Sequence, residues 1–222
     1  MGSPKAVQKG RERRRLRSPN PEVPARLAAA ATDLISTRGY SALRVDEICD
    51  AAGLSVGTFY LYFDGKDDLF VHLVVAHTEG LRAALGEEYA KEGPVLIRLT
   101  AALDRYLRFV EEHELGLLHF RDAGSIETDL GRLAPWAYAQ HAADLVPVLE
   151  EGMESGEIRR TDAWLLAHAI VGLSQHMALC AAERPGNATH EELLRFLSEL
   201  LGTGMAAAPG GAAAGHLEDG RR

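Results

Sequence analysis

Apolar residues recur at helical spacing along almost the whole chain, and no segment alternates convincingly at the period of a strand. In residues 24–38, Leu27, Ala31, Leu34 and Ile35 stand at i, i+4, i+7 and i+8, which places them on one stripe. Pro24 suits a first turn, where its missing N–H costs nothing, and Gly39 suits a left-handed stop. Residues 45–51 read as a second, short helix with Val45 and Ile48 inward. Ala52-Gly53-Leu54 is a tight turn, and Ser55 caps a third helix, VGTFYLYF. Asp64-Gly65 ends it, and Asp67 and Asp68 put negative charge in the first turn of a fourth helix that runs through Leu85. Further helices are expected from Pro94 to about Glu112, at 114–122 and 126–134, and from Pro135 to about Glu154 with a bend at Pro147. The last two run from Ala163 to about Ala182, capped by Thr161 or Asp162, and to about Leu201 behind a Thr189/Glu192 capping box. The expected fold class is all-α with about nine helices, a compact N-terminal three-helix unit followed by a larger C-terminal helical bundle.

Composition fits a globular chain, with 46% hydrophobic and 25% charged residues. The formal net charge of -8 excludes a uniformly basic nucleic-acid coat. Its distribution is uneven. Residues 1–20 carry seven Lys/Arg against Glu12, a net +6, whereas residues 21–70 carry a net -4 and residues 71–222 a net -10. Residues 1–20 therefore form a basic arm with too few apolar groups to fold alone, suited to phosphate contact. It lacks the apolar run of a signal peptide. Residues 206–222, rich in Gly and Ala, are expected to be a disordered tail. Cys49 and Cys180 are too few for a disulfide scaffold or a four-Cys zinc site.

Three short helices with a small-residue turn between the second and third make a helix-turn-helix, whose third helix can lie in a major groove. The run GYSALRVDEICDAAGLSVGTFYLYFDGKDDLF, residues 39–70, resembles the tetracycline-repressor (TetR) family at many spaced positions. Among these are Gly39-Tyr40, Ala52-Gly53-Leu54-Ser55, Gly57-Thr58-Phe59-Tyr60, Phe63 and Lys66. The resemblance implies a dimeric, ligand-responsive transcriptional repressor of the cytoplasm, not an enzyme. Its partners would be a double-stranded DNA operator, a small-molecule effector and a second copy of the chain, with no membrane and no cofactor. It assigns Ser55, Thr58 and Tyr60 to DNA and Lys66 to a phosphate, with Val45, Ile48, Phe59 and Phe63 as the small core. Arg44, Val56 and Tyr62 stand where the family often has other residues, and all three are still expected to face DNA, Tyr62 as the second exposed aromatic beside Tyr60 on the third helix. Arg44 suits a guanine edge or a phosphate, and Val56 a thymine methyl. The implied units are 21–68 for DNA binding and 69–205 for ligand binding and dimerisation. The acidic helix-turn-helix keeps an alternative open, a small-molecule binding protein that has lost specific DNA binding.

Gly53-Leu54-Ser55-Val56-Gly57 also matches the G-x-S-x-G elbow of hydrolases, but that motif works only on a strand-to-helix turn, which the surrounding periodicity does not provide. Residues 164–182 are uncharged over nineteen positions, long enough to span a bilayer, yet His168, Ser174, Gln175 and His176 argue for burial in protein instead. This helix and the last one are expected to form an intersubunit four-helix bundle. By residue type, the ligand-pocket candidates are Tyr106, Phe109, His119, Phe120, Trp136, Tyr138, His141, Trp164, His168, His176 and Met177, which suit an aromatic or amphipathic effector. His72/His77 and His168/His176 are poorly spaced for one metal, so none is expected.

Overall fold

The computed structural model describes residues 20–112, 133–183, 186 and 188–207. Among them are eight helices: α1 Glu22–Arg38, α2 Val45–Ala52, α3 Val56–Tyr62, α4 Lys66–Tyr89, α5 Val95–Glu112, α6 Leu133–Ser155, α7 Ala163–Glu183 and α8 His190–Met205. The helix expected at 114–122, most of that at 126–134, nearly all of the basic arm and most of the C-terminal tail lie outside the described residues.

The ends of the helices follow the capping chemistry. Ser55 accepts a hydrogen bond from the Thr58 N–H at 3.0 Å and opens α3. Thr189 and Glu192 close a full capping box on α8. The Leu165 N–H donates to Asp162 Oδ1 at 2.9 Å, so Asp162 rather than Thr161 supplies the cap of α7. Gly53 takes the left-handed conformation, φ 62° and ψ 40°, that the bend after α2 requires. Gly39 departs from expectation in part: its φ is positive at 77°, but its ψ of 160° lies outside the left-handed helical region. α1 starts two residues earlier than expected, with Pro24 in its first turn. α6 runs unbroken from Leu133 through Pro135 and Pro147, where the sequence suggested a helix start and a bend.

Two packing regions position everything else. The first unites α1, α2 and α3 around Leu27, Ile35, Ile48 and Phe59, all fully buried, and takes in the first turns of α4 and α6. Phe63 is also buried there and Val45 packs at its edge. Phe70 of α4 stacks on Tyr40 with ring centroids 4.5 Å apart, and Leu133, Trp136 and Ala137 of α6 close the cluster. The three-helix head therefore sits on a platform made by two helices of the larger bundle. The second region joins α5, α6, α7 and α8. Arg98 reaches from α5 to the end of α4, donating to the Tyr89 carbonyl at 2.9 Å, and pairs with Glu151 of α6. The end of α8 is tied to the segment after α6, where the Arg159 N–H donates to the Met205 carbonyl at 2.8 Å.

Candidate functional site

Two places in this fold carry candidate chemistry. The first is the helix-turn-helix. Arg26 of α1 donates to the Ala52 carbonyl and, at 3.3 Å, to that of Gly53, so one guanidinium satisfies the carbonyls that α2 leaves free at its end. This fixes the bend and sets α3 on the surface. Phe59 points inward and is fully buried, while Val56, Tyr60 and Leu61 are 42%, 56% and 62% exposed. Ser55 lies exposed and Thr58 half-buried at the start of the helix, their hydroxyls 2.9 Å apart. A convex, hydroxyl-bearing and apolar ridge of one helix width results, which fits a major groove. Leu61 was not singled out from sequence, because the apolar run around it looks like core.

Three of the expected DNA-facing residues are engaged within the protein. Tyr62 is half-buried, and its hydroxyl accepts from the Asn20 N–H at 3.1 Å, so it is not the second exposed aromatic the sequence suggested. Lys66 donates to the carbonyls of Ser41 and Leu43 at 3.4 and 3.2 Å and lies over the Tyr40 ring, 4.9 Å from its centroid. It braces the loop between α1 and α2 with two of the three N–H donors of its ammonium. Arg44 is exposed but forms a two-pronged pair with Asp46, 3.1 and 2.8 Å long. Tyr40 donates to the Asp67 carboxylate, and burial, followed by that carboxylate, pushes its phenol well above the ordinary value. The Gly53–Gly57 stretch joins helix to helix, so it lacks the geometry of a hydrolase elbow.

The second place is a cavity between α4, α5, α6, α7 and α8. Its volume is about 100 Å³, and it is partly open to solvent. Leu85 and Tyr89 of α4, Leu99, Leu103 and Tyr106 of α5, His141 and Leu145 of α6, Ile170, Ser174 and Gln175 of α7, and Ser198 and Met205 of α8 are among the residues that line it. Four polar atoms in this lining are buried without a hydrogen-bond partner: Tyr106 Oη, His141 Nδ1, Ser174 Oγ and Ser198 Oγ. An unsatisfied buried group of this kind costs about 1–3 kcal/mol, so four around one cavity indicate partners that come from outside the chain. Burial pushes the His141 imidazole down to about 4, against the pull of the nearby Asp144 carboxylate. Burial raises the Tyr106 phenol well above its ordinary range. Both groups are neutral near pH 7.

With both places defined, comparison with known proteins is direct. The family model described as bacterial regulatory proteins of the tetR family matches residues 27–73, and the model described as the tetracyclin repressor-like C-terminal domain matches residues 97–204. The chain belongs to the TetR family. It is 31% identical over 107 residues to the HTH-type transcriptional activator FasR of Mycolicibacterium smegmatis, across 48% of this chain and 49% of that protein. The chain thus matches about half the length of that curated relative. A putative transcriptional regulator from Pseudomonas aeruginosa shares the fold with a TM-score of 0.73 at 26% identity, over 85% of this chain and 92% of that one. FadR of Bacillus subtilis, solved in complex with stearoyl-CoA, superposes with a TM-score of 0.74 at 22% identity, over 81% and 98% of the two chains.

Within this TetR-family fold the ligand candidates chosen by residue type separate into groups. Tyr106 and His141 line the cavity, and Tyr138 lies half-buried close enough to Tyr106 to act on its phenol. Phe109 is buried against Leu81 and Leu85, 5.0 Å from the His77 ring, and Met177 packs between α5 and α8. Trp136 belongs to the core under the helix-turn-helix. Trp164 and His168 stack on each other at 4.0 Å on the outer face of α7, and His176 is exposed beside Cys180, 3.6 Å from its sulfur. These six do not line the cavity, because their helices turn them toward other neighbours or toward the surface. His119 and Phe120 lie outside the described residues. Sequence reasoning missed Tyr89, Ser174, Gln175 and Ser198 as lining residues. The available signal was polar residues inside otherwise apolar helices: Ser174-Gln175 in α7 and Ser198 between the leucines of α8.

α7 is the one described helix long and apolar enough to cross a membrane, and only 22% of that window is buried within the chain. Its exposed Trp164 and Leu165, at 58% and 60%, and Phe196 and Leu200 of α8, at 50% and 48%, form apolar surface on the last two helices.

Proposed function

We propose that the chain is a homodimeric transcriptional repressor that binds a pseudo-palindromic operator through α3 and releases it when a small amphipathic molecule fills the cavity. In this reading residues 21–68 form the DNA-binding unit, residues 69–205 the effector-binding and dimerising unit, and residues 1–20 a basic arm that contacts phosphate. Val56, Thr58, Tyr60 and Leu61 read base edges and thymine methyls, while Ser55 and Arg44 meet the backbone. The observation that carries the proposal is the placement of one helix, α4. Its first turn braces the helix-turn-helix and its last turns line the cavity. The stearoyl-CoA in the FadR complex supports an effector with a long apolar portion, which the leucine-rich lining also favours.

The second reading, a binding protein without specific DNA recognition, is favoured by the net -4 of residues 21–70 and by the pairing of Arg44 with Asp46. Selection of bound fragments from a genomic library by the full-length dimer, followed by fluorescence anisotropy on the enriched site, separates the two. The repressor reading expects one two-fold-symmetric site whose affinity falls more than tenfold in Tyr60→Ala. Equal affinity for all fragments at every salt concentration would establish the second reading instead.

A further inference from the structure

The chemistry of the cavity constrains its ligand more tightly than its shape does. Among the described lining residues there is no Asp, Glu, Lys or Arg. The buried polar atoms without partners on residues of its lining are two serine hydroxyls, one phenol and one imidazole nitrogen. Two charged groups stand near, Arg82 of α4 and Asp144 of α6, but they neutralise each other in a two-pronged ion pair and do not line the cavity. A ligand carboxylate or phosphate placed at these atoms would lose its water and meet no cation among the described lining residues. A ligand with no polar atom would leave four buried groups unpaired. An uncharged oxygen-bearing group avoids both costs, since hydroxyls donate and accept and a neutral imidazole does one or the other.

We propose that the cavity binds the uncharged polar end of an amphipathic molecule, an alcohol, amide or ester bearing an aliphatic chain, with Tyr106, His141, Ser174 and Ser198 as the residues that recognise that end. Free fatty acids and their coenzyme A thioesters are discriminated against, the first by their charge. The second are disfavoured because they carry an anionic nucleotide, for which the described lining residues offer no cation. The inference rests on the reading of this cavity as the effector site.

The test uses the full-length dimer and a matched series: 1-decanol, decanamide, decanoate, decanoyl-CoA, and undecane, in which a methyl replaces the hydroxyl. Binding is followed by native mass spectrometry and by calorimetric competition, and operator occupancy by anisotropy. Decanol and decanamide are expected to bind at least about tenfold more tightly than decanoate, decanoyl-CoA or undecane, the worth of one or two recovered buried hydrogen bonds. Tyr106→Phe is expected to weaken decanol and decanamide by about tenfold and to leave undecane unaffected, which a merely structural role for Tyr106 would not produce. Decanoate or decanoyl-CoA binding as tightly as decanamide overturns the proposal, as does an equal loss of decanol and undecane affinity in the variant. If decanamide binds selectively yet operator occupancy stays constant, the head-group assignment stands and the repressor reading falls. If none of the five binds, the head-group assignment falls, and the repressor reading is decided by operator recognition alone.

Discussion

His141 offers the sharpest quantitative test of the structure, because burial and function meet in one side chain. Its imidazole is pushed from an ordinary 6.5 down to about 4, mainly by burial and further by His77 and Arg82, with Asp144 acting in the opposite sense. In the unfolded chain His141 takes up its proton near pH 6.5, whereas in the folded chain it does so only near pH 4. Between those values the unfolded state holds more protons, so acidification favours unfolding. The contribution is fully present above about pH 6.5 and is lost progressively as pH falls to about 4. A shift of this size is worth about 3 kcal/mol per protomer in full, and about 2 kcal/mol of it is lost between pH 7.5 and pH 5.

The assay is urea unfolding of the wild type and of His141→Phe at matched protomer concentration, at several pH values from 7.5 to 5. Matching the concentration matters because a dimer's apparent stability depends on it. Other histidines and the carboxylates titrate equally in both proteins, so the difference between the two stability curves isolates position 141. The wild type is expected to lose about 2 kcal/mol more than the variant over this range. Parallel curves, or an NMR titration placing the His141 ring at its ordinary value, would refute the claim that this nitrogen is buried and neutral. Because the imidazole stays uncharged, selective binding of the neutral amphiphile is expected to persist to about pH 5.

Three further outcomes follow from other parts of the molecule. Deleting residues 1–17 removes seven Lys/Arg and is expected to flatten the dependence of log affinity on log salt by about 0.9 for each phosphate the arm neutralises; an unchanged slope removes the arm from the interface. Gly152→Ala places a Cβ 2.6 Å from Ile158 Cδ1 and 3.1 Å from Val95 Cγ1, in a fully packed contact, and is expected to cost about 1–3 kcal/mol in urea unfolding; neutral behaviour would mean that Ile158 is free to move. Trp164→Asp combined with Leu165→Asp puts charge on the exposed face of α7 and is expected to yield monomers with unchanged helical content in sedimentation and circular dichroism; a persistent dimer would move the interface elsewhere.

The parts of the structure legible in the sequence are those decided by neighbours a few residues away. Ser55 caps α3 through the Thr58 amide, Gly53 bends left-handed after α2, and Thr189 with Glu192 closes the start of α8. Each is a local bargain between backbone and side chain. What the sequence hid depends on distant partners. Tyr62 is held by an amide 42 positions away, and Lys66 by carbonyls 23 and 25 positions away. The cavity was hidden for a related reason. A search by residue type selects large aromatics, and large aromatics fill space: Trp136 seats the helix-turn-helix and Phe109 seals α4 against α5. A cavity arises where the facing residues are small, as at Ser174, Ser198 and Gly202, and their juxtaposition exists only after α7 and α8 have packed.

On the proposed function, α4 must carry the signal, and its dimensions say what the effector has to achieve. Twenty-four helical residues make a rod about 36 Å long. Pivoting such a rod by about 5° moves its far end by about 3 Å. In a symmetric dimer both heads move, and recognition helices that must enter successive major grooves about 34 Å apart then fall out of step. The rod is not free to pivot. Lys66 and Asp67 tie its first turn to the loop carbonyls and to Tyr40, and Arg82 binds Asp144 one turn along α6 from His141. A hundredfold loss of operator affinity requires the effector to prefer the displaced arrangement by about 2.7 kcal/mol. Filling unpaired positions at Tyr106, His141, Ser174 and Ser198 supplies that preference only if those atoms are better placed for the ligand after α4 and α6 have separated than before. The ion pair at Arg82 and Asp144 opposes that separation, and the strength of the response therefore depends as much on this pair as on the ligand's own contacts.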